Sequence, residues 1–179
     1  MDEKERVAIF IDANNFRQVM NGYYGKHSFD VVKLVKLLLN GRNSNKIFYY
    51  INRFKLNKED IAKQERFFAA IQRKVPGLEV KAFDMQKRKD AEGYQEKGVD
   101  NAITLDMALE LSSYDTAILV TEDSDYVGTV QRIIGLGKKV ELALPHFAKG
   151  HHLRKNCTSV RVLSEEELNG ILMSNPRNS

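Results

Sequence analysis

Three acidic residues stand within four positions directly after an apolar run, and this stretch carries the clearest chemical signal in the chain. The run, Thr116–Val120, consists of small or branched residues and is typical of a strand buried on both faces in a parallel sheet. Glu122, Asp123 and Asp125 follow it. Carboxylates crowded at one place repel one another unless a cation neutralises them. Because ligands of open α/β sheets gather beyond the carboxyl ends of strands, the stretch predicts a cation-binding crevice there.

Two acids elsewhere in the chain can reach the same crevice. Asp12 follows a second fully apolar strand at 7–11, and Asp100 stands in the first turn of a predicted helix, where the helix dipole favours a negative charge. Asp12 joins the crevice if its strand lies beside strand 116–120. Asp100 joins it if its helix begins at the same edge of the sheet. Each acid could instead serve only its own helix, as an N-cap or as an ordinary first-turn residue.

An all-oxygen cluster of this kind suits Mg²⁺ or Mn²⁺. These ions keep several waters and take a few carboxylates together with phosphate oxygens of a substrate. One or two such ions can polarise a phosphodiester and lower the pKa of a bound water. We therefore predict four residues both as metal ligands and as catalytic groups: Asp12, Asp100, Asp123 and Asp125. Whether Glu122 is a further ligand, and whether one or two ions bind, stays open.

Asp106 is predicted to lie outside this ligand set. It follows Asp100 by six residues, so on a helix it points about 120° away and lies roughly 9 Å further along the axis. We therefore expect Asp106 behind the ligands or on the surface. The histidines offer no competing arrangement, because His27 stands alone and the other three fall between His146 and His152.

Strands alternate with helices along the chain, which favours an α/β fold with a central parallel sheet and right-handed crossovers. The predicted strands are 7–11, 47–51, 78–83, 116–120, 140–144 and 159–163. The predicted helices include one from residue 31 that Ser28 or Asp30 can cap, one over 58–74, one over 99–111 and one capped by Ser164 with Glu167. The inward side of helix 58–74 is predicted to carry Ile61, Phe67, Phe68 and Ile71. Segment 85–97 has no apolar period and reads as a solvated loop.

The composition of the chain indicates which classes of protein it can belong to. A chain of 179 residues with 42% apolar residues is long enough for one domain, which we place at 1–174 with a frayed tail at 175–179. One cysteine, Cys157, excludes an internal disulfide, and no apolar run approaches the roughly 20 residues that span a bilayer. The charged first residues do not resemble a secretory signal, so a cytoplasmic protein is expected. The net charge of +4 permits a polyanionic partner.

The acidic motifs resemble those of the NYN family, specifically its LabA-like branch, within the PIN-type nuclease superfamily. The matching segments are 10–15, 97–100, 114–126 and 137–141, with a looser likeness over 153–168. The resemblance implies a PIN-like, Rossmann-type three-layer sandwich, a divalent-metal site and cleavage of RNA. It also implies that the four predicted acids are ligands and that Asn15 matches the polar residue after the first of them. The chain departs from the branch at Glu122, where Gly is usual, and at Tyr126, where Phe is usual.

Basic residues near the crevice are candidates for contacts with phosphates. Arg53 and Lys55 leave the strand that ends at 51, and Lys97 lies on the loop that leads into Asp100. Together with Asn15 they are predicted to bind substrate. The loop before Asp100 also carries acids, so a plain solvated loop explains its charges equally well. Segment 146–155 could contact RNA or form a partner surface.

We therefore predict a metal-dependent endoribonuclease acting on single-stranded or exposed RNA, held by stacking and by backbone charge. One alternative is a non-catalytic RNA-binding or regulatory protein on the same fold. Another is a metal-dependent phosphatase on small phosphate esters, which would leave the basic residues without a role. No membrane partner is expected, and a homodimer stays open.

Overall fold

The computed structural model describes residues 5–25, 28–44, 46–53, 57–84, 86–87, 94–95 and 98–173. The strands are β1 Val7–Asp12, β2 Ser28–Phe29, β3 Lys46–Arg53, β4 Leu78–Asp84, β5 Gln86–Lys87, β6 Tyr94–Gln95, β7 Thr116–Val120, β8 Lys139–Pro145, β9 Ser159–Leu163 and β10 Leu172–Met173. The helices are α1 Ala13–Tyr24, α2 Val31–Leu39, α3 Lys58–Lys74, α4 Val99–Leu109, α5 Val127–Gly135, α6 His151–Asn156 and α7 Glu165–Ile171. A 3-10 turn, Ser124–Tyr126, precedes α5. None of these described helices is both long and apolar enough to cross a membrane.

A six-stranded sheet in the order β4-β3-β1-β7-β8-β9 organises the fold, and all its neighbouring strands are parallel. The predicted α/β class with a central parallel sheet is therefore confirmed. At its centre β1 pairs with β7, with Val7 opposite Thr116 and Ile11 opposite Val120. Every residue of these two strands is buried. The carboxyl ends of β1 and β7 consequently lie side by side, which meets the condition under which Asp12 joins the crevice.

Helices cover both faces of the sheet because its strands are apolar on both faces. Ile9 and Ile11 of β1 belong to the core beneath α1, α2, α3 and α7. Ala8 and Phe10 point into the opposite core, which is shared with α4, α5 and α6. The alternation of side chains along a strand thus produces the three layers.

Several helices begin at the capping residues that the sequence suggests. Asp30 caps α2, since its Oδ1 accepts hydrogen bonds from the N–H groups of Val32 and Lys33. Ser164 and Glu167 form the predicted capping box of α7. The prediction that Phe67 faces inward from α3 was wrong. Its side chain is 38% exposed, because the neighbouring Phe68 occupies the buried position of that helical turn.

Three features were not predicted. Helix α6 escaped notice because Leu153 is its one buried residue among the six, so it shows no apolar period. Strands β2 and β10 pair antiparallel although they lie far apart in the chain. In the segment predicted as a solvated loop, β5 and β6 pair antiparallel, and residues 85, 88–93, 96 and 97 lie outside the described residues. The predicted tail at 175–179 lies outside them as well.

The carboxyl end of α4 is closed by a tyrosine from the following loop. The last carbonyls of a helix have no partner within it. The buried hydroxyl of Tyr114 donates a hydrogen bond of 2.6 Å to the carbonyl of Met107. Burial raises the pKa of this phenol to about 12, so it remains a donor over the whole physiological range. This bond fixes the end of α4, whose other end carries Asp100.

We expect Tyr114→Phe to lower the free energy of unfolding by about 1–3 kcal/mol, because the Met107 carbonyl would stay buried without its donor. Tyr24→Phe is the matched control, since the buried Tyr24 hydroxyl has no hydrogen-bond partner among the described residues and its loss should be nearly neutral. Urea denaturation of the three proteins measures the difference. Equal losses in both variants would contradict the capping role.

Candidate active site

Asp12 is the last residue of β1 and, at the same time, the N-cap of α1. Its Oδ1 accepts a hydrogen bond of 3.0 Å from the N–H of Asn15, and only 4% of the residue is exposed. The capping role considered from the sequence is therefore real. It uses one carboxylate oxygen and leaves Oδ2 directed to other groups, so capping and a place in the site are compatible.

The hydroxyl of Tyr126 joins two of the predicted acids. It donates a hydrogen bond of 3.0 Å to Oδ1 of Asp100 and lies 3.4 Å from Oδ2 of Asp12. A phenol has one proton to donate, so the shorter contact is the stronger bond. The 3-10 turn after β7 thus brings together an acid from the end of β1 and an acid from the first turn of α4. Asp12 and Asp100 therefore contact the same hydroxyl group at the carboxyl edge of the sheet.

The same acids keep Tyr126 protonated. Burial of the ring and the negative charges of Asp12 and Asp100 raise the pKa of its hydroxyl far above the ordinary value. Ionised Tyr126 would place a third negative charge between two carboxylates in a poorly hydrated site. The phenol therefore acts as a neutral hydrogen-bond donor and not as a base.

The acids line one pocket of about 140 Å³ at the carboxyl edge of the sheet. Its lining residues are Asp12, Asn15, Gln18, Gly98, Val99, Asp100 and Asp123. Asp123 accepts a hydrogen bond of 3.0 Å from the N–H of Asp125 and so caps the 3-10 turn. Asp125 itself is exposed and is not among the described lining residues. The structure therefore gathers three of the four predicted ligands and places the fourth next to them along the chain.

Asn15 and Glu122 hold the rim of the pocket together. The side-chain oxygen of Asn15 accepts a hydrogen bond of 2.9 Å from the N–H of Glu122, which ties α1 to the exit of β7. The carboxylate of Glu122 in turn accepts one of 2.8 Å from the N–H of Lys149. Gly150 follows with φ +43°, and a Cβ there would lie 3.6 Å from the Cα of Glu122. The Glu122 carboxylate thus holds the loop before α6 and does not line the pocket.

Asp106 has structural partners away from the pocket. It accepts a hydrogen bond of 2.9 Å from the hydroxyl of Tyr50, and Nζ of Lys81 lies 3.4 Å from the same carboxylate oxygen. Burial and the charge of Asp106 raise the pKa of Tyr50. This placement agrees with the prediction that Asp106 lies outside the ligand set.

Of the three basic residues predicted to bind substrate, the structure describes only Arg53. Arg53 ends β3 and forms an ion pair of 2.9 Å with Glu65 of α3, outside the pocket lining. Lys55 and Lys97 lie outside the described residues.

Three residues near the strand exits were assigned no role from the sequence: Tyr126, Asn52 and Asn14. Tyr126 was noted only as a departure from the usual Phe, although its added hydroxyl is the group that contacts Asp12 and Asp100. Asn52 is fully buried in β3, and its N–H donates to Oδ1 of Asn14 at 3.2 Å. A polar residue in an otherwise apolar strand is the signal that could have drawn attention to it.

The donor set fits a hard divalent cation. Within the described part of the chain, no group of three or more acids, histidines or cysteines is arranged as a ready-made metal cage. Mg²⁺ does not need one, because it is usually bound through one or two carboxylates, with waters and substrate oxygens completing its shell. Asp12, Asp100 and Asp123 line the same pocket, so they are the residues that could hold such an ion.

Comparison with known proteins assigns the family. The model of the NYN domain matches residues 6–164, so the chain belongs to the NYN domain family. This family is part of the PIN-like nuclease superfamily, whose members typically use divalent metals. A crystal structure of a protein of unknown function, VPA0982 from Vibrio parahaemolyticus RIMD 2210633, has the same fold, with a TM-score of 0.74 and 21% identity over 97% of this chain and 99% of that one. No curated protein sequence matches the chain.

We expect Tyr126→Phe to lower the free energy of unfolding by about 1–3 kcal/mol in metal-free buffer near pH 7, because Asp100 would lose a hydrogen bond to a charged group. The difference should shrink as pH rises above about 10. Above that pH the Tyr126 phenol ionises in the unfolded wild-type chain but stays protonated in the folded protein, so ionisation favours unfolding. The variant has no phenol at this position and does not lose this part of its stability.

Chemical denaturation in EDTA at pH 7 and at several values above pH 10 measures both effects. A difference that grows with rising pH, or no difference at pH 7, would contradict the assigned role of the Tyr126 hydroxyl.

Proposed function

We propose that the protein is a metal-dependent endoribonuclease that hydrolyses phosphodiester bonds of single-stranded RNA. The observation that carries the proposal is the single pocket lined by Asp12, Asp100 and Asp123, in which Tyr126 links the first two acids. Membership of a nuclease superfamily supports the reaction class. The choice of RNA and the placement in the LabA-like branch rest on the motif resemblance and remain part of the proposal.

The acids act in this proposal as the ligands of Mg²⁺ or Mn²⁺. Asp12 and Asp100 hold the ion, Asp123 shares the pocket, and Asp125 is the fourth acid at its edge. A cation bound there supplies charge neutralisation at the phosphate and a water of lowered pKa. Tyr126 holds Asp12 and Asp100 in place, and its raised pKa keeps it from competing as a base.

Four polar or basic residues are proposed to bind the substrate. Asn15 fixes the exit of β7 and lines the pocket, so it orients the groups that meet the substrate. Arg53, Lys55 and Lys97 are proposed to contact backbone phosphates, which positions a strand without reading its sequence. The net charge of +4 is consistent with a polyanionic substrate.

We expect Asp12→Asn to reduce RNA cleavage by at least about 100-fold, equivalent to roughly 3 kcal/mol of transition-state stabilisation. The amide keeps an oxygen for the N–H of Asn15, so α1 stays capped while the pocket loses a charge. The measurement is cleavage of a labelled single-stranded RNA in Mn²⁺, with EDTA as the metal-free reference.

Asp106→Asn is the matched control, because Asp106 is a partly buried acid on the same helix as Asp100 but is bonded to Tyr50 and Lys81. It should cleave at the wild-type rate. Equal cleavage by Asp12→Asn and wild type would refute the assignment. RNA binding without any cleavage would favour the non-catalytic RNA-binding alternative, and faster hydrolysis of p-nitrophenyl phosphate than of RNA would favour a phosphatase.

A further inference from the structure

An aromatic cluster lies at the surface where α1 ends. Tyr23 and Tyr24 close that helix, and His146 and Phe147 follow β8. The rings of Tyr23 and Phe147 are stacked, with centroids 3.9 Å apart and planes within 1° of parallel. His146 meets Tyr23 edge-on at 5.6 Å. Tyr23 is 50% exposed and His146 is exposed, whereas Tyr24 is half-buried beneath them.

The exposed ring of Tyr23 is held in place before any ligand arrives. Phe147 stacks against it, and Tyr24 meets it edge-on at 4.9 Å. A surface side chain fixed by its neighbours loses little rotamer freedom on binding. The rings of Tyr49, Tyr50, Tyr114 and Tyr126, by contrast, are fully buried and cannot meet a ligand in this way. We call Tyr23, His146 and Phe147 the aromatic platform.

A short segment connects the platform to the acid pocket. Phe147 and Lys149 are two residues apart, so their Cα atoms lie within about 7 Å of each other. The N–H of Lys149 is bonded to the carboxylate of Glu122, and Glu122 precedes the pocket residue Asp123. The platform and the pocket therefore border the same loop at the carboxyl edge of the sheet.

Cationic and ionisable side chains lie on this loop and on helix α6, which follows it. The exposed ones are Lys149, His151, His152 and Lys155. Lysine side chains beside an exposed ring are the arrangement that single-strand-binding proteins use: the bases stack on the ring and the charges follow the phosphates. Charge and continuity with the pocket both favour a nucleic-acid strand over a neutral protein surface as the occupant.

We propose that the aromatic platform is a base-stacking subsite for single-stranded RNA, bordering the pocket that receives the scissile phosphate. This inference rests on the proposed function for the nature of the strand. A base stacks on the exposed ring of Tyr23, and the lysine side chains of the adjoining loop contact the flanking phosphates. The subsite has no hydrogen-bond code, so it accepts any base and selects unpaired over paired strands.

The chain contains no tryptophan, which permits a direct test of stacking. In Tyr23→Trp the single indole stands on the platform, and its fluorescence should be quenched in a saturable manner by a single-stranded oligouridylate in EDTA, where the RNA is not cut. An abasic ribose-phosphate oligomer should leave it unquenched. Leu136→Trp is the matched control at a 55% exposed position after α5, and it should not respond. Equal responses of the two variants would overturn the proposal.

Affinity provides the second measurement, by anisotropy of labelled oligouridylate in EDTA. Tyr23→Ala should weaken binding about tenfold, and Tyr23→Phe should bind like wild type, because the ring and not the hydroxyl stacks. Thermal melting verifies that each variant is folded. Unchanged affinity of a folded Tyr23→Ala protein would overturn the subsite. A change of sedimentation in that variant without a change in affinity would identify the platform as a contact between copies of this chain.

These outcomes are separable from those for the nuclease. If Asp12→Asn abolishes cleavage and Tyr23→Ala binds RNA like wild type, the subsite is wrong and the nuclease stands. If Tyr23→Ala weakens binding and no variant or wild type cleaves RNA, the subsite stands on a non-catalytic RNA-binding protein. Failure of wild type to bind the oligomer at all would overturn the subsite.

Discussion

Repulsion between gathered carboxylates is the constraint around which this edge of the molecule is built. Asp12, Asp100 and Asp123 line one pocket, and each would be more stable apart from the others. Hydrogen bonds to the charged forms offset that cost: Asp12 accepts from the first turn of α1, Asp123 from the 3-10 turn, and Asp100 from Tyr126. Two of these donors are backbone N–H groups at the beginning of a helical segment, where the helix dipole also favours negative charge. The fold thus provides each of the three acids with a hydrogen-bond donor.

Parallel strand pairing explains why the acids meet. The register of β1 on β7 places the ends of both strands at one edge, so residues that follow them share a crevice whatever their separation in sequence. Asp100 reaches the crevice by a different route, through the first turn of α4. The far end of that helix is closed by Tyr114 on the carbonyl of Met107. Sheet register and helix placement therefore act together to form the site.

Helix α1 links the acid pocket to the aromatic platform. Asp12 caps the first turn of this helix. The same turn carries Asn15, whose side chain accepts a hydrogen bond from the backbone at the exit of β7, and the last turn carries Tyr23. Glu122 completes the connection from the other side, since it is bonded to Asn15 through its N–H and to Lys149 through its carboxylate. Glu122, which the sequence analysis left open as a further metal ligand, thus connects the pocket to the loop of the aromatic platform through two hydrogen bonds.

The sequence alone determined the strand alternation, the helix cap at Ser164, and the acids that follow β1 and β7, because apolar period and capping chemistry are local properties of the chain. It narrowed the cap of α2 to Ser28 or Asp30, and the structure shows that Asp30 is the cap. It could not place the hydroxyl of Tyr126 between Asp12 and Asp100, turn Glu122 toward Lys149 or stack Tyr23 on Phe147. It also misassigned Phe67. These contacts join residues distant in the chain, and local spacing does not specify which side chains of different elements face each other in space. Tertiary packing made that choice, since burial of both sheet faces positions the helices and thereby the side chains at their ends.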